Sequence, residues 1–212
     1  MKDMPVFTTE NGVASLVLRE IPTRGEAYIT VRSSAEPEKL LEECISFCRA
    51  CGAERIYGKG EGLEERYPLH TVIYEMRGEA AVDTEKLHSL FPVTEQTVGR
   101  WRQIFNDAMK NVDNAAALTY LDEEKIVGSG GAYFIHSSGK LLGIGWMEDV
   151  KLLAVAAVEK GAGMGVLNTL LSLVEGASVT LEVASTNLKA IKLYERKGFV
   201  KTRELGRWYR LL

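Results

Sequence analysis

The chain has 212 residues, 46% hydrophobic and 26% charged, with a net charge of −3 and a pI near 5.8. Such a length makes one large domain or two small ones, and such a composition excludes disordered, collagen-like and coiled-coil chains. Mild acidity argues against a nucleic-acid-binding or polybasic membrane-binding surface. The apolar run Leu152 to Val158 is seven residues, far below the ~20 of a membrane helix. Charge is uneven. Residues 1–92 carry 11 Lys and Arg against 16 Asp and Glu, a net of −5; residues 93–212 carry 15 against 13, a net of +2. An anionic ligand is therefore expected on the second half. Met1-Lys2-Asp3-Met4-Pro5 holds no apolar leader core, so a cytoplasmic protein is expected.

Taken in chain order, Gly12 to Ile21 and Glu26 to Arg32 have the β-branched and aromatic content of strands. Glu36-Pro37-Glu38 opens a helix that runs to Cys51 and stops at Gly52. Cys44, Cys48 and Cys51 have the C-x3-C-x2-C spacing of a three-cysteine iron–sulfur site. The same spacing is i, i+4 and i+7, one face of that helix, where cysteine packs as a small hydrophobe. That spacing resembles the one radical-SAM enzymes use, whose domain also needs a large barrel, and only some 40 residues precede the motif, so core thiols and no metal are expected. Arg55 to Tyr57 and His70 to Met76 are further strands, Asp83 to Leu90 a short helix, and Thr94 to Val112 a longer one. Asn114 to Leu121, Lys125 to Ile135 and Lys140 to Met147 are expected as strands joined by turns. Val150 to Val158 is apolar except for Lys151, as in a strand buried on both faces. Gly161 to Gly165 leads to a helix ending at Gly176, then strand Ser178 to Val183, helix Asn187 to Lys197, and a hairpin about Gly206. Strand, helix, Gly-Ala, strand occurs twice, ending at Arg55–Tyr57 and at Ser178–Val183, which allows a duplicated unit.

The segment Gly161-Ala162-Gly163-Met164-Gly165 joins a strand to a helix. Helix-start amides lack internal partners and the helix dipole favours an anion there, so this is a candidate phosphate cradle. Lys160 adds a cation beside it. A dinucleotide-binding fingerprint would need G-x-G-x-x-G, but the spacing is G-x-G-x-G with Val at 166; Glu182 would be its acid. The P-loop pattern is absent.

Leu153 to Val158, then Lys160-Gly161-Ala162-Gly163-Met164-Gly165, resembles the strand and [Q/R]-x-x-G-x-[G/A] helix start of the GNAT superfamily of N-acetyltransferases. Downstream, Asn187, Ala190, Leu193-Tyr194 and Gly198-Phe199 match that family's N-x-x-A-x-x-L/F-Y-x-x-x-G-F pattern. The resemblance covers about the last 120 residues. It implies a mixed α/β (α+β) acyl-CoA N-acyltransferase fold, with a mainly antiparallel sheet flanked by helices, over residues 86–212. Residues 1–85 would be a smaller α/β segment, open to being a degenerate half-copy that shapes the acceptor site or a homodimer face.

The same resemblance implies acetyl-CoA as donor and an amine as acceptor, with neither nucleic acid nor membrane as partner. Its pyrophosphate would lie on the amides from Gly161 to Gly165, including Ala162, Gly163 and Met164. Ala154 and Val155 would meet the pantetheine arm and thioester, Asn187 would contact pantetheine, and the Tyr194 hydroxyl would protonate the departing thiolate. Ala157 replaces the family's usual Pro, and Lys160 its Arg or Gln. The positions aligned with the usual general base are Lys151 and Leu152, which leaves Glu148, with Asp149, as the nearest carboxylates. None of His70, His88 and His136 falls in a catalytic or ligand spacing. A non-catalytic acyl-CoA-binding protein is the rival expectation.

Overall fold

The computed structural model describes residues 5–212, apart from the side chain of Lys86. Residues 1–4, considered above for a leader, lie outside the described residues. The chain begins with β1 (Val6–Thr9), β2 (Gly12–Val17), the single turn α1 (Ile21–Arg24), β3 (Glu26–Ser34), α2 (Pro37–Ala50), β4 (Arg55–Lys59) and β5 (Leu69–Glu79). Next come β6 (Ser89–Pro92), α3 (Val98–Met109), α4 (Glu123–Gly128), β7 (Ala132–Ser137), β8 (Lys140–Glu148) and β9 (Lys151–Ala157). It ends with α5 (Gly163–Leu171), β10 (Ser178–Ala184), α6 (Leu188–Arg196) and β11 (Val200–Arg210). Among the described residues no helix is long and apolar enough to cross a membrane.

Two compact units result. One runs to Val72 and adds Leu205–Leu212; the other is Ile73–Glu204. This differs from a single cut after residue 85, because two strand pairings override chain order. Residues 73–79 of β5 pair with β10, and Tyr209 and Arg210 pair with β4.

In the first unit β1, β2 and β3 pair antiparallel, and β3 and β4 pair parallel with α2 as the crossover. That parallel ladder is closed over five residue pairs, from Glu26–Arg55 to Thr30–Lys59. Pro37 starts α2, and Leu40, Leu41, Cys44 and Cys48 bury one stripe of it against Leu16, Ile29 and Ile56. Burial pushes the Cys44 and Cys48 thiols up to about 11 and about 12. Cys51 falls at the helix C-cap and is exposed, so the expected three-cysteine face is a two-cysteine face. Buried Glu26 accepts the Tyr28 hydroxyl at 2.8 Å and lies 3.3 Å from Arg24 and 3.2 Å from Arg55.

The second unit has strand order β5-β10-β9-β8-β7-β6. All pairs are antiparallel except β9 with β10. Helices α5 and α6 cover one face, where Val166, Leu167, Leu170, Ile191 and Tyr194 pack with Met76, Leu152 and Leu181. Helices α3 and α4 cover the other, where Val98, Trp101, Ile104 and Ile126 pack with Ile144, Trp146, Ala154 and Ala156. The fully buried Trp101 donates its indole N–H to the Tyr133 carbonyl at 3.0 Å, which meets the polar requirement of a core tryptophan.

β9 contains one extra residue. Met147 stands opposite Leu152 and Trp146 opposite Ala154, so Leu153 has no counterpart on β8. Such a bulge shifts the alternation of faces. Leu152 points to the α5 side, and after the bulge Val155 does, while Ala154 and Ala156 point to the α3 side.

Four expected elements differ. Asn114 to Leu121 is not a strand. Thr119 N–H and Oγ1 bond to Asp122 Oδ2 at 2.7 and 3.0 Å, a capping box that starts a 3-10 turn and then α4. Residues 125–135, expected as one strand, divide between α4 and β7. Asp83 caps only the 3-10 turn Thr84–Lys86, and β6 follows. Val200–Arg210 is one strand rather than a hairpin about Gly206.

Candidate active site

β9 and β10 are joined by only two register pairs, Lys151–Thr180 and Leu152–Leu181. β9 then runs on for five residues and β10 for three. Over that stretch β9 stays bonded to β8, and β10 to β5. The two strands therefore part at the Leu153 bulge. Among the described residues, backbone groups on one edge of Leu153–Ala157 have no strand partner, and buried peptide groups rarely stay unpaired. An extended ligand with amide groups can complete that edge as a further strand would. The corresponding β3–β4 pair is closed, and Glu36, Pro37 and Glu38 stand where a glycine loop would be. Among its described residues the first unit thus has neither the slot nor the cradle.

Past β9 the loop turns through Gly161, whose φ of 87° is a left-handed conformation that glycine adopts without strain. Ala162 N–H bonds Glu159 O, and Val166 N–H bonds Ala162 O. The amides of Gly161, Gly163, Met164 and Gly165 have no partner among the described residues. The helix dipole adds positive potential at this end, and exposed Lys160 adds a cation. Ala162 is the N-cap.

Gly165 serves a purpose the sequence did not reveal. A Cβ there would lie 2.6 Å from His88 Nε2. His88 is held over α5 by its own N–H, which donates to Thr169 Oγ1 at 3.0 Å. Asn168 fixes the same segment by bonding both the N–H and the carbonyl of Asp83, at 3.0 and 2.8 Å. Both α5 residues are almost fully buried. The only advance signal was a pair of polar residues, Asn168 and Thr169, in an otherwise apolar helix.

On the α5–α6 face Tyr194 is buried, with its ring 6.0 Å from that of Phe199. Its hydroxyl has no hydrogen-bond partner among the described residues, and burial pushes its pKa up, so it stays protonated at neutral pH. Asn187 caps α6 by accepting the Ala190 N–H at 3.2 Å. A carboxamide offers two N–H donors besides that oxygen, so capping leaves those donors for a ligand. Asn187 also lines a cleft of about 260 Å³ with Asn111, Val112, Asp113, Thr186, Leu188 and Lys189.

Glu148 ends β8 opposite Lys151, one strand removed from the opening. Lys151 instead pairs with Glu182, Nζ to Oε1 2.7 Å. Glu182 is the first residue of β10 beyond the last pair with β9. Ala154 and Val155 thus lie on β9 beyond its last rung with β10, and Tyr194 packs in one cluster with Val155 and Ala162. Asn187 lines the cleft beside Asn111 to Asp113, and Glu148 stands on β8, across β9 from the opening. Among the described residues no group of His, Cys, Asp and Glu side chains converges as a metal site would.

A mixed sheet flanked by helices, with a glycine helix start between two parallel strands, is here the GNAT acyltransferase fold. Comparison with solved structures agrees. A GCN5-related N-acetyltransferase from Anabaena variabilis matches 93% of this chain and 58% of its own, with a TM-score of 0.60 at 11% identity. One from Sphaerobacter thermophilus matches 93% and 75%, with a TM-score of 0.50 at 10% identity. A functionally unknown conserved protein from Staphylococcus epidermidis matches 99% and 94%, with a TM-score of 0.57 at 12% identity. At such identities the likeness is one of fold. No family model and no curated sequence matches the chain.

Proposed function

We propose that the protein is an acetyl-CoA-dependent N-acetyltransferase that passes the acetyl group directly to a primary amine of a small molecule or peptide. The observation that carries this reading is the two-rung β9–β10 ladder opening onto four unpartnered amides at the start of α5. An extended thiol arm ending in a diphosphate fits both features. Its phosphates would take the amides of Gly161, Gly163, Met164 and Gly165 with Lys160 nearby, and its amide-bearing arm would complete the Leu153–Ala157 edge. The backbone at Ala154 and Val155 would meet the thioester carbonyl, where a positioned N–H stabilises the developing oxyanion. The neutral Tyr194 hydroxyl would protonate the departing thiolate, and the Asn187 amide would hold the arm.

β9 contains no carboxylate, and this favours a second reading in which the protein binds acyl-CoA without turnover. Both readings require CoA binding, measured by calorimetry. Only the first releases free CoA thiol when acetyl-CoA is mixed with 1,4-diaminobutane, phenethylamine or a lysine-containing tripeptide. Binding without thiol release from an amine panel would favour the second; no binding at all would dismiss both.

A further inference from the structure

An amine must lose a proton as it attacks a thioester, so a direct transfer needs an acceptor for that proton. We infer that Glu182 is that acceptor and that the amine arrives on the α3 face of the sheet. The inference rests on the acetyltransferase reading above.

The faces decide it. Leu181 and Val183, on either side of Glu182, point into the core under α5 and α6, so Glu182 points to the opposite face. Tyr194, Ile191 and the start of α5 belong to the first face. A thioester lying in the opening has the thiolate-side phenol on one face and the Glu182 carboxylate on the other. Attack and departure at a carbonyl carbon then have separate proton stations. The arriving ammonium gives a proton to Glu182, the neutral amine nitrogen bonds to the carbonyl carbon, the carbon–sulfur bond breaks as sulfur takes the Tyr194 proton, and the second proton of the nitrogen returns to the Tyr194 phenolate.

Glu182 belongs to a row of charges crossing the sheet at the level where the strands part. Glu148 on β8 stands opposite Lys151 on β9, and Glu182 on β10 stands directly opposite Glu75 on β5. Arg203 holds Glu75 at 2.9 Å, and Thr202 Oγ1 donates to it at 3.1 Å. Like charges directly opposite on adjacent strands are unfavourable. Among the described residues Glu75 has two partners on β11, whereas Glu182 has the half-exposed Lys151. An incoming ammonium can displace that partner, since such an exposed pair contributes little. Of the three carboxylates, Glu182 alone stands on a strand bordering the opening and clear of the last rung.

The test uses the full chain and the most active amine of the panel above. Glu182→Gln should lower kcat/KM about 10²-fold at pH 7. The loss should shrink toward pH 10, where the amine reaches the protein already deprotonated. A merely structural role would not produce that recovery. Calorimetry of the same amine into protein saturated with CoA gives an independent readout, with binding at pH 7 about tenfold weaker in Glu182→Gln, as expected for a lost charge-assisted hydrogen bond. Glu75→Gln should match the unaltered protein in both assays. Wild-type turnover with unchanged kcat/KM in Glu182→Gln overturns the inference and leaves the acetyltransferase reading standing. The pH-dependent loss appearing in Glu148→Gln instead also overturns it. Failure of the unaltered protein to bind CoA removes both.

Discussion

Gly163→Glu tests the anion cradle without disturbing the fold. Gly163 is the first residue of α5, outside the left-handed region, and a Cβ there meets only Leu193 methyls at 3.8 and 3.9 Å. Glutamate is a better helix former than glycine, and a carboxylate in the first turn interacts well with the dipole. The ligand-free variant should therefore melt at or above the wild-type temperature. A carboxylate about 4 Å from a bound phosphate costs ~4 kcal/mol at the effective dielectric of a protein surface. Screening by salt lowers that to about 3 kcal/mol, or roughly 10²-fold in Kd. Calorimetry with CoA reads the affinity, and scanning fluorimetry without ligand reads the fold. Gly163→Ala separates charge from bulk, since its methyl makes ordinary contact with Leu193; it should keep affinity within a few-fold. A folded Gly163→Glu protein that binds CoA as tightly as wild type would falsify the cradle.

Tyr194→Phe should lower kcat about 10²-fold, the low end for general acid catalysis because a thiolate leaves readily, with acetyl-CoA affinity nearly unchanged. Its melting temperature should barely move, because the hydroxyl makes no hydrogen bond to the described residues; wild-type turnover would remove the phenol from the chemistry. Maleimide at pH 7 should label one thiol, Cys51, in the native protein and three after unfolding; rapid triple labelling of the native protein would contradict the core placement of Cys44 and Cys48. Both buried thiols ionise at their ordinary 9.0 in the unfolded chain but only near 11 and 12 when folded. Their contribution is thus complete below pH 9 and declines between pH 9 and 12. Urea denaturation should show that decline flattened in a Cys44→Ala, Cys48→Ala double variant. Glu26→Ala removes a buried carboxylate from between two guanidinium groups and should cost about 3 kcal/mol, read from the urea midpoint; a loss below about 1 kcal/mol would mean the pair is solvated.

The β9–α5–β10 order around the candidate site was legible because its signals are local. An apolar run, a glycine loop and the Asn187-to-Tyr194 spacing each act within one element or across one turn. β5 was recognised as a strand, yet nothing local in Leu69–Glu79 says that seven of its residues pair with β10, a hundred residues on. That pairing moved the unit boundary from 85 to 72 and placed Glu75 beside Glu182. α4 was missed because Thr119 and Asp122 start it with a side-chain contact, whereas the preceding Ala115–Leu118 is apolar enough to suggest a strand. His88 escaped notice because its importance comes from a through-space contact with Gly165, 77 positions away.

The extra residue at Leu153 bears on how this chain should be compared with others. Before it, even-numbered side chains of β9 face α5; after it, odd-numbered ones do. An ungapped alignment anchored on Lys151 and Leu152 therefore equates residues on opposite faces everywhere downstream unless the other strand bulges at the same place. Deleting Leu153 itself would remove the bulge and leave Leu152, Ala154, Val155 and Ala156 on the faces they already occupy. Against solved structures of like fold at about 12% identity, the bulge is a better landmark for superposition than any side chain around it.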